Sequence, residues 1–142
     1  MKQDLTANVQ KVEFGNDSVV IAAHYSDIPG GRTLDVGTYP LKSILAGHVI
    51  IKSSEGVYKP MPIVKKGTPQ SDGTQEYEYG TLPESHTYAG VLYRSILASQ
   101  PAASIMDAGK VNIALVPYDM TAIKDAFEAA VKGIQFTNDE EA

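Results

Sequence analysis

The sequence predicts a mostly β domain closed by one C-terminal α-helix, and two observations carry that expectation. Short apolar runs rich in Val, Ile and Tyr are separated by clusters of Gly, Pro, Asp and Ser, which is the punctuation of strands and turns. Only one stretch, near the C-terminus, puts its apolar residues on a 3.6-residue stripe.

Residues 1–18 are polar and weakly patterned, with Val9, Val12 and Phe14 as isolated apolar anchors. They read as an arm or a marginal edge strand, and the β-rich domain proper is expected over 19–136. Val19-Val20-Ile21-Ala22-Ala23 is short and β-branched at its start, which favours a buried strand. The breaker cluster Ser26-Asp27-Ile28-Pro29-Gly30-Gly31 ends it. From Thr33 to Val64 short strands alternate with turns. Leu34, Val36 and Tyr39 lead to Pro40, and Ile44-Leu45-Ala46-Gly47-His48-Val49-Ile50-Ile51 follows. Ser53-Ser54-Glu55-Gly56 turns the chain, and Val57-Tyr58-Lys59-Pro60-Met61-Pro62-Ile63 returns. Proline cannot donate to a ladder, so Pro60 and Pro62 confine that return to an edge or an irregular position.

Residues 65–87 are the most hydrophilic stretch and read as disordered or as a projecting loop that touches a partner. Within them Tyr77 and Tyr79 alternate with Glu76 and Glu78, a short period-2 pattern that fits a hairpin arm bearing two exposed tyrosine contacts. Tyr88 to Ile96 reads as one strand. Ala102 to Met106 leads to a turn at Asp107-Ala108-Gly109-Lys110, and Val111 to Val116 forms the strand that Pro117 stops. Ile123, Phe127, Ala130, Val131 and Ile134 share the helical stripe, which predicts a helix at about 120–132. Asp119 or Thr121 serves as its N-cap, and Gly133 fits the left-handed position past its end. Ile123, Phe127 and Val131 are expected to dock the helix on the β body. Residues 137–142 read as a flexible tail.

Composition narrows the functional classes. A chain of 142 residues suits one domain, and a domain of that size buries roughly 68% of its unfolded surface without help from metal or disulfide. Cysteine is absent, so disulfides, thiolate metal sites and cysteine nucleophiles are excluded. The net charge of −5 argues against a nucleic-acid partner, which wants a basic face. No apolar run is long enough to span a membrane as a helix. The opening Met1-Lys2-Gln3-Asp4-Leu5-Thr6 lacks the apolar core of a signal peptide, and the expectation is synthesis in the cytoplasm without export. The eight tyrosines suit β surfaces and interfaces, where a ring is buried and its hydroxyl stays wet.

No catalytic constellation stands out. His24, His48 and His86 do not pair at metal-binding spacings, and no His-Glu-x-x-His segment exists, so no metal is expected. His48 reads as a strand residue alternating with apolar neighbours. No serine sits in a Gly-x-Ser-x-Gly frame. Ser95, His86 and Asp107 make a triad only on paper. Gly30-Gly31-Arg32 and Lys65-Lys66-Gly67-Thr68 lack the context of a phosphate loop and read as turns. Glu76 and Glu78 share one solvated strand face, which is the wrong environment for paired acid and base. No catalytic residue and no cofactor is expected.

Two passages resemble a known family. Residues 44–60, "ILAGHVIIKSSEGVYKP", and residues 88–116, "YAGVLYRSILASQPAASIMDAGKVNIALV", are similar in order and spacing to lambda-type head decoration proteins and to the head fibre proteins of other tailed phages. The following "LVPYDMTAIKDAFEAAVKGIQF" looks like the helix and short strand that close the head fibre type. The resemblance implies a β-rich, clip-like subunit without a cofactor. It would form a homotrimer, bind the major capsid protein and lie on the outer capsid surface of the virion. In that setting Val9, Val12 and Phe14 would anchor an arm to the shell by strand addition, and many copies on one lattice would turn weak contacts into firm retention. The polar stretch 65–87 departs from the family pattern. Two other readings are a carbohydrate- or peptide-binding module using Tyr77, Tyr79 and Tyr88, and a clip-type nucleotide hydrolase using Ser53-Ser54-Glu55-Gly56.

Overall fold

The computed structural model describes residues 17–37 and 39–138. The arm anchors Val9, Val12 and Phe14 and residues 139–142 of the expected tail lie outside them. The described chain is mostly β, with its one helix of more than a single turn near the C-terminus. A four-residue turn of helix, α1 (Asp17–Val20), leads into β1 (Ile21–Asp27). Val19 and Val20 are thus helical, and the strand runs on through Ser26 and Asp27, which the breaker reading had ended early. The hydrogen bond from the Ser26 hydroxyl to the Asp107 carboxylate, at 2.5 Å, ties that extension to its neighbour.

The central sheet has six strands. β4 (Val49–Ser53), β5 (Tyr58–Pro60), β8 (His86–Leu92), β11 (Ile105–Asn112) and β12 (Ile134–Thr137) join β1. The order is β1-β11-β8-β4-β5, with β12 also on β11. β5 is the outer strand, as Pro60 requires, and Pro62 lies past its end, before the next strand. Three two-stranded ribbons complete the fold. β2 (Arg32–Thr33) pairs with β10 (Ala102–Ala103), and β3 (Ser43–Ile44) with β9 (Ile96–Leu97). β6 (Ile63–Lys66) pairs with β7 (Glu76–Tyr79).

Period-2 alternation explains why the middle of the sheet is apolar throughout. Val49 and Ile51 enter one core with Val91 and Met106, whereas Ile50 enters a second core with Leu92 and Ile105. Phe127, Val131 and Met120 belong to the first core; Leu34, Ile44 and Ala103 belong to the second. The sheet is therefore covered on both faces at its centre.

The expected turn at Asp107-Ala108-Gly109-Lys110 is instead the middle of β11, an unbroken strand of eight residues. Its glycine signals crowding. A Cβ on Gly109 would stand 2.3 Å from the Ala23 carbonyl oxygen of β1, and one on Gly90 in β8 would stand 2.3 Å from the Met106 oxygen. Both positions also have positive φ, 153° and 157°. The strand expected over Tyr88–Ile96 breaks after Leu92, and Ile96 belongs to β9. Pro117 follows a stretch of turns, because β11 already ends at Asn112.

The stretch 65–87 is neither structureless nor wholly loop: β6 and β7 form a hairpin across it. Helix α2 (Lys124–Ala130) is shorter than the periodicity predicts. Ile123 occupies the N-cap position without a side-chain bond. The Asp119 carboxylate instead accepts from the Thr121 amide at 2.9 Å, closing a turn one step earlier. Ala130 is exposed and Ile123 half-buried, so Phe127, Val131 and Ile134 are the buried members of the stripe, and Ile134 is buried from β12 and not from the helix. Gly133 is not left-handed. It is needed for closeness, since a Cβ there would meet the Asp107 oxygen at 2.6 Å. β12 then pairs parallel with β11, Gly109 opposite Ile134, and a parallel neighbour demands the crossover that α2 provides. The tail begins later than expected, because Thr137 is still in β12.

Phe127 is fully buried, with its ring 5.6 Å from Tyr88 and 5.7 Å from Phe136. Phe127→Ala is expected to cost about 3–5 kcal/mol in urea unfolding; a cost under about 1 kcal/mol would mean the helix is not docked there. A second comparison separates crowding from conformation. Gly56 also has positive φ, at 87°, but a Cβ there meets nothing within 4 Å. Gly56→Ala should cost about 1–2 kcal/mol, and Gly90→Ala more. Equal costs would show that the strands can move apart at Gly90.

Candidate functional site

The most distinctive chemistry lies where the β6–β7 hairpin meets the central sheet. His48 precedes β4 and is fully buried. Its amide donates to the Leu45 oxygen and its carbonyl accepts from the Leu92 amide, so the backbone is held on both sides. It lies just before β4 and not on a strand as expected, and its neighbours Gly47, Val49, Ile50 and Ile51 are all buried with it. The ring Nε2 lies 2.9 Å from the Met61 carbonyl oxygen. A carbonyl can only accept, so Nε2 carries the proton and Nδ1 presents a lone pair. Nδ1 has no hydrogen-bond partner among the described residues.

Three tyrosines enclose that imidazole. Ring centroids stand 5.3 Å away for Tyr79, 5.6 Å for Tyr118 and 5.6 Å for Tyr39, the first two edge-on. Edge-to-face contacts of this kind are favourable beyond the area they bury. The Tyr79 hydroxyl accepts from the Val49 amide at 3.0 Å, and the Tyr39 and Tyr118 hydroxyls are hydrogen-bonded to each other. Burial lowers the His48 imidazole to about 4, against a smaller opposing effect of the Met61 bond. Burial also raises all three tyrosines, with the neighbouring hydroxyls adding to the rise at Tyr39. At neutral pH the cluster is therefore uncharged.

Beside it a cleft of about 130 Å³ opens between Tyr39, Met61 and Ile63, walled by Pro40, Pro60, Pro62 and Pro83, with Asp35 and Lys59 also in its lining. An imidazole that stays neutral, ringed by tyrosines that stay protonated, is not poised to move protons near pH 7. What the arrangement does is mechanical: it pins the hairpin to β4 and to the segment carrying Tyr118.

The predicted contact residues divide here. Glu76 and Glu78 are on the exposed face of β7, as expected, and Tyr77 and Tyr79 on the other. Tyr79 is not an exposed contact, because alternation turns it inward, where its hydroxyl meets Val49. Tyr77 is half-buried and lines a shallow groove with Lys66, Pro117 and Tyr118. Tyr88 packs against Phe127. These three rings do not form an open stacking platform. The paper triad is not brought together. Ser95 receives the Ala46 amide at 2.9 Å, Asp107 receives Ser26, and His86 Nδ1 faces the Glu84 oxygen at 2.7 Å. His86 opens β8 and Ser95 lies past its far end, roughly 20 Å along the strand. Ser53 is used by its own turn, its hydroxyl accepting from the Glu55 and Val57 amides. No three His, Asp or Glu side chains among the described residues gather as a metal site.

Sequence reasoning missed the association of His48 with Tyr39 and Tyr118. Its faint signal is the pair of dipeptides Tyr39-Pro40 and Pro117-Tyr118, each a rigid bend that aims a ring. Comparison with known proteins returns no matching family model, no similar curated protein and no similar solved structure.

The cluster gives the protein a defined pH dependence. An unfolded His48 takes a proton near pH 6.5, whereas the folded one resists until about 4. Its contribution is therefore complete above pH 6.5 and is lost as pH falls through that window, by about 3 kcal/mol in all. Urea unfolding of the wild type and of His48→Leu, at pH 7 and pH 4, should show their stability difference shifting by that amount in favour of the variant. A difference that does not change with pH would mean that His48 titrates normally in the fold.

Proposed function

We infer that the chain is a non-enzymatic structural subunit that decorates the outer surface of a bacteriophage capsid as a homotrimer, bound to the major capsid protein. The observation that carries this reading is spatial. The passages 44–60 and 88–116, which bear the resemblance to head decoration and head fibre proteins, supply β4, β5, β8 and β11. These are four consecutive strands of one sheet. The likeness therefore falls on one packed unit, not on scattered loops. Further support comes from the end of the chain, where the helix α2 and the short strand β12 follow in the order of the head fibre type.

The physical demands of the role suit this body. A decoration subunit bridges neighbouring capsomers and has to resist deformation. A sheet buried on both faces, with its hairpin locked by an uncharged aromatic cluster, resists bending. The carbohydrate-binding alternative wants exposed tyrosine platforms, and Tyr79 and Tyr88 are partly buried and packed against the first core.

The reading predicts co-sedimentation with undecorated phage shells, saturating at the number of local three-fold positions. Light scattering of the free protein should give three times the mass of one chain at high concentration. Failure to sediment with any undecorated shell of tailed phages, together with saturable binding to an immobilised glycan, would replace the capsid reading with the binding module.

A further inference from the structure

We propose that Arg32, Lys52 and Tyr58 form a recognition site for the carboxylates of an acidic protein segment. Lys52 and Tyr58 stand directly opposite each other across β4 and β5. Arg32 reaches the same ring from β2, on the ribbon formed with β10. The Arg32 guanidinium carbon lies 5.5 Å from the Tyr58 ring centroid, and the Lys52 ammonium 5.7 Å. A ring face attracts a cation without neutralising it, so both charges are gathered and both are left unspent.

The arginine is also positioned in advance. One of its terminal nitrogens donates to the Gly31 oxygen at 2.6 Å and to the Pro29 oxygen at 3.0 Å. The remaining guanidinium donors have no described partner. The ion pairs among the described residues are His24 with Asp27 and Lys124 with Glu128, so neither Arg32 nor Lys52 has a carboxylate of its own. The other cross-strand neighbour of Lys52 is Thr87, which is uncharged. Two like charges held at one ring repel, and a carboxylate that reaches them relieves the repulsion while accepting from the guanidinium fork.

The chemistry of the occupant follows from the charge balance. The net charge of −5 opposes any polyanion at a distance, so the attraction is local: two cations without a carboxylate partner among the described residues complement acidic side chains at short range. A single exposed carboxylate gains about 1 kcal/mol or less from such a pair. A segment carrying several carboxylates is therefore needed for retention. This site stands independently of the capsid reading.

The test is an NMR titration of the intact protein with a hexaglutamate peptide and, separately, with inorganic phosphate, at low ionic strength. Saturable shifts centred on the Arg32 side chain, Lys52 and the Tyr58 ring are expected. Arg32→Gln and Lys52→Gln, both at exposed positions, should each weaken peptide binding about fivefold. Tyr58→Phe should retain binding, and Tyr58→Leu should lose the advantage of the gathered charges. Shifts centred on Lys65 and Lys66, an unchanged affinity in Arg32→Gln, tighter binding of phosphate than of peptide, or no saturable shift at all would each overturn the proposal.

Discussion

β11 has three neighbours and only two edges. β1 takes one edge along most of its length, from Met106 to Val111. The other is divided: Ile105 and Met106 pair with β8, and Gly109 to Asn112 pair with β12. The backbone closes up at a glycine against each of the three. Gly109 meets the Ala23 oxygen of β1, Gly90 of β8 meets the Met106 oxygen, and Gly133, entering β12, meets the Asp107 oxygen. A methyl group at any of these points would stand well inside contact distance, so the absence of side chains there lets one strand organise the sheet. Helix α2 follows from the same arrangement, because the parallel strand β12 can be reached from β11 only by a crossover.

The His48 cluster depends on that sheet. The imidazole is buried because β4 is covered on both faces, and it stays neutral because burial penalises its charged form. The hairpin β6–β7 contributes Tyr79, and the segment after β11 contributes Tyr118, so stretches far apart in sequence are joined at one aromatic contact. The polar connection between β6 and β7 then projects from a fixed base. That combination of a locked base and an accessible edge suits a protein whose work is to hold others together. The gathered cations at Tyr58 belong to another part of the molecule, where the second core meets the β4–β5 hairpin.

Local patterning made the broad architecture legible. The β-branched runs, the prolines at 60 and 62, the alternation of Glu and Tyr over 76–79 and the stripe around Phe127 all report on the residue's own segment, and they led to the right kind of element except at Val19-Val20, which are helical. The errors share a cause. Asp107-Ala108-Gly109-Lys110 has turn composition but lies in mid-strand, because its glycine answers to a neighbouring strand and not to its own backbone. Gly133 fits a left-handed cap by sequence but answers to the Asp107 oxygen of β11 in the same way. Ile134 matched the helical period yet left the helix, because pairing with Gly109 of β11 outweighed one more helical turn.

The candidate sites were less legible than the elements that carry them. The facing of Lys52 and Tyr58 can be deduced from the turn between them, since a hairpin sets its own register. Arg32 cannot be placed at that ring from sequence, nor can Tyr39 and Tyr118 at His48, because such contacts join segments whose separation the chain does not encode locally. By itself the sequence determined the strand-rich class, the C-terminal helix and the edge position of the proline-bearing strand, all consequences of periodicity and of proline's missing donor. Only the tertiary structure decided which glycines mark crowding, which histidine loses its charge and which cations share a ring. Those properties depend on what approaches a residue through space.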